Sequence, residues 1–424
     1  MKSYKEMTAE ELLQEKASLE KEYEDYKAMG LSLNMARGKP GAEQLDISMP
    51  MLDVLNSKSD CVEDGTDCRN YGILDGISGV KKMFADILEV NEDEVFVGGN
   101  SSLNMMFDTI TTFMIKGIGG CEPWVKQDKI KFLCPVPGYD RHFGITEYYG
   151  IEMINIPTDE NGPDMDMIEK LVAKDETIKG IWCVPKYSNP TGITYSDDTV
   201  RRFARLQPKA KDFRIIWDNA YVIHDVTDTP DHLLSIMDEC RKNGTEDRPI
   251  IFASTSKITF PGAGVAVMAC SKANMDVLKA RYTRQTIGYD KLNMLRHQRY
   301  LKDSSGLVAY MAKHKAVIAP KFKCVIDALN EKVKNTGCAE WTEPNGGYFI
   351  SVNVLEGTAK EVVRLCKEAG VVLTGAGATY PYGSDPKDSN IRIAPTYPSV
   401  DELSKAADIF CICTKLAAVN KLIG

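Results

Sequence analysis

The chain has 424 residues, 43% hydrophobic and 26% charged, enough to bury a sizeable core and to divide into two domains. Its 52 basic and 60 acidic side chains leave a formal charge of −8, which speaks against a general affinity for nucleic acid or an anionic membrane. No stretch approaches the roughly 18–20 apolar residues that span a bilayer, and no apolar leader follows Met1-Lys2-Ser3-Tyr4. The 12 cysteines contain no C-x-x-C pair, so free thiols in a reducing cytoplasm are expected rather than a zinc or redox site.

In chain order, Thr8-Ala9-Glu10-Glu11 has the form of a capping box. It predicts an amphipathic helix running toward Gly30 as its C-cap. A short strand from Leu31 then breaks into the Gly/Pro turn Gly38-Lys39-Pro40-Gly41. From about residue 70 to 270, short apolar runs alternate with helical stretches. Strands are predicted at Val95–Val97, Lys131–Cys134, Gly180–Val184, Ile215–Asp218, Ile250–Ala253 and Val265–Cys270. That alternation is the pattern of a mostly parallel sheet covered by helices on both faces.

Beyond about residue 288 the character changes. A long helical stretch is predicted up to Pro320, with a second helix from there to about Thr336. A strand at Gly347–Val352, a helix from Thr358 to Ala369 and a strand at Ile391–Ile393 complete a smaller α+β unit. The expected division is a large domain over 45–300 and a small domain formed by 1–44 with 301–424. The N-terminal helix is expected to lie on the small domain.

Six segments carry candidate chemistry, each with an ordinary alternative. Lys257 follows an apolar strand inside Ser254-Thr255-Ser256-Lys257 and precedes the loop Pro261-Gly262-Ala263-Gly264. A lysine there can be desolvated and its pKa lowered for Schiff-base chemistry, or it can be a loop lysine facing solvent. Asp218, in Asp218-Asn219-Ala220-Tyr221, ends another strand. Ligands of open α/β sheets bind outside such ends, although an aspartate there can equally cap a helix. Asn189-Pro190-Thr191-Gly192 is a turn by composition. Gly98-Gly99-Asn100-Ser101-Ser102, before an apolar helix, offers free N–H groups to an anion such as phosphate. Tyr139, in Pro137-Gly138-Tyr139-Asp140-Arg141-His142, can stack on a planar ring, with His142 behind Asp218. Arg392, inside a short strand, requires a carboxylate from the protein or from a substrate.

Taken together and in this order, these segments resemble the fold-type I aminotransferases that depend on pyridoxal phosphate (PLP). The likeness covers roughly residues 30–400. Leu33-Asn34-Met35-Ala36-Arg37-Gly38-Lys39-Pro40 and Asp290-Lys291-Leu292-Asn293-Met294-Leu295-Arg296-His297 are similar to the bacterial subgroup called type Ic aspartate aminotransferases. The resemblance implies a ping-pong transfer of the amino group between L-aspartate and 2-oxoglutarate. It implies Lys257 as the residue that joins the cofactor and shuttles the proton, and Asp218 as partner of the pyridinium nitrogen. Tyr221 and Asn189 would bond the ring's phenolic oxygen, Tyr139 would stack on it, and His142 would orient Asp218. Asn100, Ser101, Ser102 and Ser254 would hold the phosphate. Tyr71, in Asn70-Tyr71-Gly72, would reach it from a neighbouring subunit of a homodimer with shared sites. Arg392 would bind the substrate's α-carboxylate, with Asn189 beside it and Gly38 allowing the N-terminal segment to close.

One departure is evident. Relatives carry an arginine in a Pro-Gly-x-Arg pattern after the lysine, where Gly264 stands here. Arg37, Lys39 or Arg296 would supply the missing charge, or the phosphate would rest on serines and amides alone. Arg296 is also the candidate for a substrate's distal carboxylate, from the basic stretch Arg284–Arg299. Other PLP reactions share these residues, among them alanine or aromatic aminotransferases and C–S lyases. A PLP-sensing regulator would need a DNA-binding module ahead of Arg37, where only a single helix is expected. The five histidines show no His-x-x-x-His spacing, so no metal is expected.

Overall fold

The computed structural model describes residues 2–424. Helix α1 (Ala9–Ala28) opens on a capping box: Glu11 N–H donates to the Thr8 hydroxyl at 3.2 Å, and Thr8 N–H to the Glu11 carboxylate at 2.7 Å. The helix buries Leu12, Leu19 and Tyr23 on one face. That face meets the C-terminal helix, where the Tyr26 hydroxyl donates to Asp408 at 3.1 Å.

Eight strands form the main sheet. They are β1 (Val95–Val97), β2 (Lys131–Val136), β3 (Glu152–Asp159), β4 (Gly162–Pro163), β5 (Ile178–Cys183), β6 (Arg214–Asp218), β7 (Pro249–Ser254) and β8 (Ala266–Cys270). Their order is β1-β8-β7-β6-β5-β2-β3-β4. Strands β7, β6, β5, β2 and β3 run parallel, whereas β8 is antiparallel to both its neighbours and β4 closes a hairpin on β3. Side chains alternate across the sheet: Ile215 and Trp217 join one core cluster, and Ile216 the cluster on the opposite face. Strand β3 has no counterpart in the sequence reading. Its run Glu152–Asp159 is only half-buried and contains Pro157, so it lacks the continuous apolar signature of the central strands.

After the sheet come α2 (Lys291–Leu301) and α3 (Ser304–Lys332). The break predicted at Pro320 does not occur, and α3 runs through it. An interior proline costs about 3 kcal/mol. Here it is offset by burial on both sides of it, with His314, Ile318, Lys321, Phe322, Val325 and Leu329 all covered. A three-stranded antiparallel sheet follows, with β9 (Ala339–Trp341), β10 (Ile350–Val354) and β11 (Asn390–Ile393) in that order. Helix α4 (Val400–Ile423) lies in the same core as α1, β10 and β11. Leu33–Asn34 pairs in parallel with Val371–Val372, tying the segment after α1 to this second core. No helix of the described residues is long and apolar enough to cross a membrane.

Candidate active site

The parallel strands all end on one edge of the main sheet, and the candidate residues gather there. Asp218 is the last residue of β6 and Ser254 the last of β7. Asn189 follows β5, Tyr139 follows β2, and Asn100-Ser101-Ser102 follows β1. Carbonyl and side-chain groups at such an edge face outward without a strand to bond, which makes the edge a binding crevice.

Asp218 is buried and bonded on one side only. Its Oδ2 lies 2.9 Å from His142 Nε2, and the His142 ring stacks on Trp182 at 4.5 Å between centroids. Its other oxygen, Oδ1, is buried with no hydrogen-bond partner. An orphaned buried carboxylate oxygen is costly unless a donor arrives. Lys257 stands in the turn after β7. Its Nζ lies 4.9 Å from the centroid of the Tyr221 ring and 6.0 Å from that of Tyr348. Burial pushes its pKa down, and the Asp218 carboxylate pulls in the opposite direction. Burial likewise raises the Tyr221 phenol well above its ordinary value and the Tyr139 phenol to about 12. Tyr139 stands edge-on to His142 at 4.9 Å.

The loop before the helix Ser102–Lys116 lies beside the Lys257 turn. Ser101 is its N-cap, accepting from Asn104 N–H at 3.4 Å, and Ser102 opens its first turn. The Asn100 side chain donates to the Gly262 carbonyl at 3.1 Å. The Ser254 and Ser256 hydroxyls are 3.1 Å apart, and Ser256 donates to the Asn100 carbonyl at 3.4 Å. The partners bonded to Asn100, Ser254 and Ser256 are therefore uncharged. Gly264 has no space for more: a Cβ there would lie 2.9 Å from the Thr255 hydroxyl. Asn293 also holds the carbonyls of Ala263 and Gly264, at 3.1 and 2.8 Å.

Arg37 and Lys39 are exposed, and Lys39 lies 4.0 Å over the Tyr397 ring, away from these serines. Arg296 reaches the glycine loop only through Asn293. It lines a separate cleft with Leu55, Asn56, Arg69 and Asp290. Within one chain Arg296 is not brought to Arg392. Tyr71 is 80% exposed on a loop and likewise stands apart from Lys257.

Arg392, on β11, is buried. Its Nη1 donates to Asp140 Oδ1 at 3.0 Å and to Asn189 Oδ1 at 3.1 Å, and its Nη2 to the Thr374 hydroxyl at 3.4 Å. Its face lies 4.8 Å from the Phe349 ring centroid. Gly38 packs against the Cζ end of that ring, where an added Cβ would come within 2.3 Å of Phe349 Cζ.

Sequence reading missed several members of the site. Tyr348 flanks Lys257 and donates to its carbonyl at 3.3 Å, with Gln44 donating to the Tyr348 hydroxyl at 2.8 Å. In sequence it is one aromatic in an apolar strand segment. Asp140 and Ser256 stand inside motifs already singled out, and only their contacts distinguish them.

The donor set suits PLP. An orphaned carboxylate faces where a ring N–H would bond, a desolvated amine lies within its field, and a helix N-terminus with hydroxyls is available for a phosphate. Residues 7–424 match the family model described as aspartate amino-transferase. An aspartate aminotransferase of Corynebacterium glutamicum is 44% identical, over 95% of this chain and 93% of its own. The crystal structure of an aspartate transaminase from the same species superposes with a TM-score of 0.96 at 43% identity, covering 99% of each chain. The α-aminoadipate aminotransferase LysN of Thermus thermophilus, solved with N-(5'-phosphopyridoxyl)-L-leucine, shares the fold at a TM-score of 0.75 and 19% identity, over 92% of this chain and 93% of its own. The chain belongs to the aspartate amino-transferase family.

Proposed function

We propose that the chain is a PLP-dependent aminotransferase that moves the amino group between L-aspartate and 2-oxoglutarate, forming oxaloacetate and L-glutamate. The observation that carries this reading is the convergence of Lys257 and the half-bonded Asp218 at one sheet edge, to which the second sheet brings the buried Arg392 through Asp140 and Asn189. The choice of aspartate is supported by the likeness to the C. glutamicum aspartate transaminase.

Bound PLP supplies an electron sink for the charge left on the substrate's Cα. Asp218 Oδ1 would accept the ring N–H and keep that nitrogen cationic, while His142 holds Oδ2 and fixes the carboxylate's orientation. Tyr139 would stack on the ring, and Tyr221 and Asn189 would bond its phenolic oxygen. Asn100, Ser101, Ser102, Ser254 and Ser256 would hold the phosphate with the amides of the adjoining helix N-terminus. Lys257 Nζ carries the proton: burial disfavours its ammonium form, so the neutral amine can take the proton from Cα. Arg392 binds the α-carboxylate.

Tyr71 and Arg69 are exposed, and the half-buried Arg296 lines an open cleft beside Arg69. A homodimer in which these residues complete the site of a second copy accounts for their distance from Lys257, and would give a distal carboxylate its cation.

A panel of amino donors with 2-oxoglutarate, scored by kcat/KM, tests the substrate choice. L-Aspartate is expected to rank first and to yield oxaloacetate. A higher kcat/KM for alanine or an aromatic donor would reassign the substrate. Release of pyruvate and ammonia from a sulfur amino acid, without oxaloacetate from aspartate, would reassign the reaction.

A further inference from the structure

Asp140 is the first residue of the helix Asp140–Tyr148, between Tyr139 and His142. Its Oδ1 accepts from Arg392 Nη1 at 3.0 Å, with Asp140 34% and Arg392 8% exposed. A guanidinium has five N–H groups. Both on Nη1 are taken, by Asp140 and Asn189, and Nη2 gives one to Thr374. Nε is buried and has no partner.

These contacts differ in kind. Asn189, Thr374 and the Phe349 ring orient the cation and leave its charge intact. Asp140 neutralises it. A buried cation without a counter-ion is strongly unfavourable, and Asp140 offsets that cost. The two partners also belong to different sheets: Arg392 is on β11, and Asp140 follows β2. A substrate carboxylate meets a cation that already carries one anion, and two carboxylates on one guanidinium repel each other.

We propose that Asp140 is the resident counter-ion of Arg392, which the α-carboxylate of an incoming amino or 2-oxo acid displaces. Its carboxylate thereby sets the affinity for that group. Asp140 has somewhere to go: it is one-third exposed, at a helix N-terminus that accommodates negative charge. Its return to Arg392 favours release of the product carboxylate. This inference rests on Arg392 being the α-carboxylate site.

The test uses the PLP-loaded enzyme carrying Asp140→Asn. KM for every amino donor and 2-oxo acceptor is expected to fall by about three- to ten-fold. The dissociation constant of succinate, which has no amino group to react, should fall by a similar factor in calorimetry. Asp140→Glu, which keeps the charge, should return both toward the parent values. If Asp140 merely anchored Arg392, its loss would leave both constants unchanged or raise them, and either result overturns the proposal. So does a Glu variant as tight as the Asn variant. Arg392→Lys in parallel separates the two levels. If it raises both constants while Asp140→Asn moves neither, only the counter-ion idea fails. If it also leaves both unchanged, the carboxylate assignment fails with it.

Discussion

The two ends of the site are built differently. The Asp218–Lys257 end stands chiefly on one sheet: Asp218 ends β6 and Lys257 follows its parallel neighbour β7, with Tyr348 and Gln44 the pieces brought from outside it. The Arg392 end is assembled from distant pieces. Arg392 comes from the three-stranded sheet, Asp140 and Asn189 from the main one, Phe349 from just before β10, and Gly38 from the segment after α1. A reactive amine needs a rigid, desolvated setting, which a sheet edge supplies. A carboxylate receptor that must take up and release its ligand can be divided between two sheets, because its contacts need form only together.

The largest effect should come from the sheet-borne end. Lys257→Ala is expected to lower kcat by about 10⁴-fold or more, since the proton carrier itself is lost, and to abolish the cofactor's covalent absorption band. Retained turnover would remove the distinction between the two ends. Arg392→Ala should act on binding: KM for all amino donors should rise by about 30-fold or more, as expected for truncating one partner of a buried charge pair. A change confined to one donor would mean that Arg392 reads side chains rather than the group common to them all. The smallest effect tests the assembly itself. Gly38→Ala places a methyl against Phe349 and should destabilise the fold by about 1–3 kcal/mol. It should also raise KM more than it lowers kcat, because Phe349 supports Arg392 and not Lys257. Equal loss in kcat and kcat/KM would show the two ends to be mechanically one.

The same division governs how much could be read from sequence. The strands ending at Asp218 and Ser254, and the helix opening at Ser102, were legible because apolar runs broken by short polar motifs are local signals. The Asp218–His142 contact, which the family resemblance implied, is present at 2.9 Å. Strand β3 escaped because a half-buried strand carrying a proline resembles a loop. Pro320 was misread because its cost is local, whereas the packing that offsets it is not. Arg37 and Lys39, considered for the phosphate, lie on the Arg392 side, since the segment carrying them pairs with Val371–Val372.

Sequence alone placed a lysine, an aspartate and a serine-bearing helix start at strand ends by short-range patterning, and the order of the motifs, through the family they resemble, indicated the class of chemistry. It also marked Gly264 as a departure. Only the tertiary structure decided why that glycine is there, with the Thr255 hydroxyl filling the space a side chain would need. It alone decided which groups of the chain Arg392 holds. Those contacts join residues as far apart in the chain as Asp140 and Arg392, and they exist only once two sheets have closed on each other.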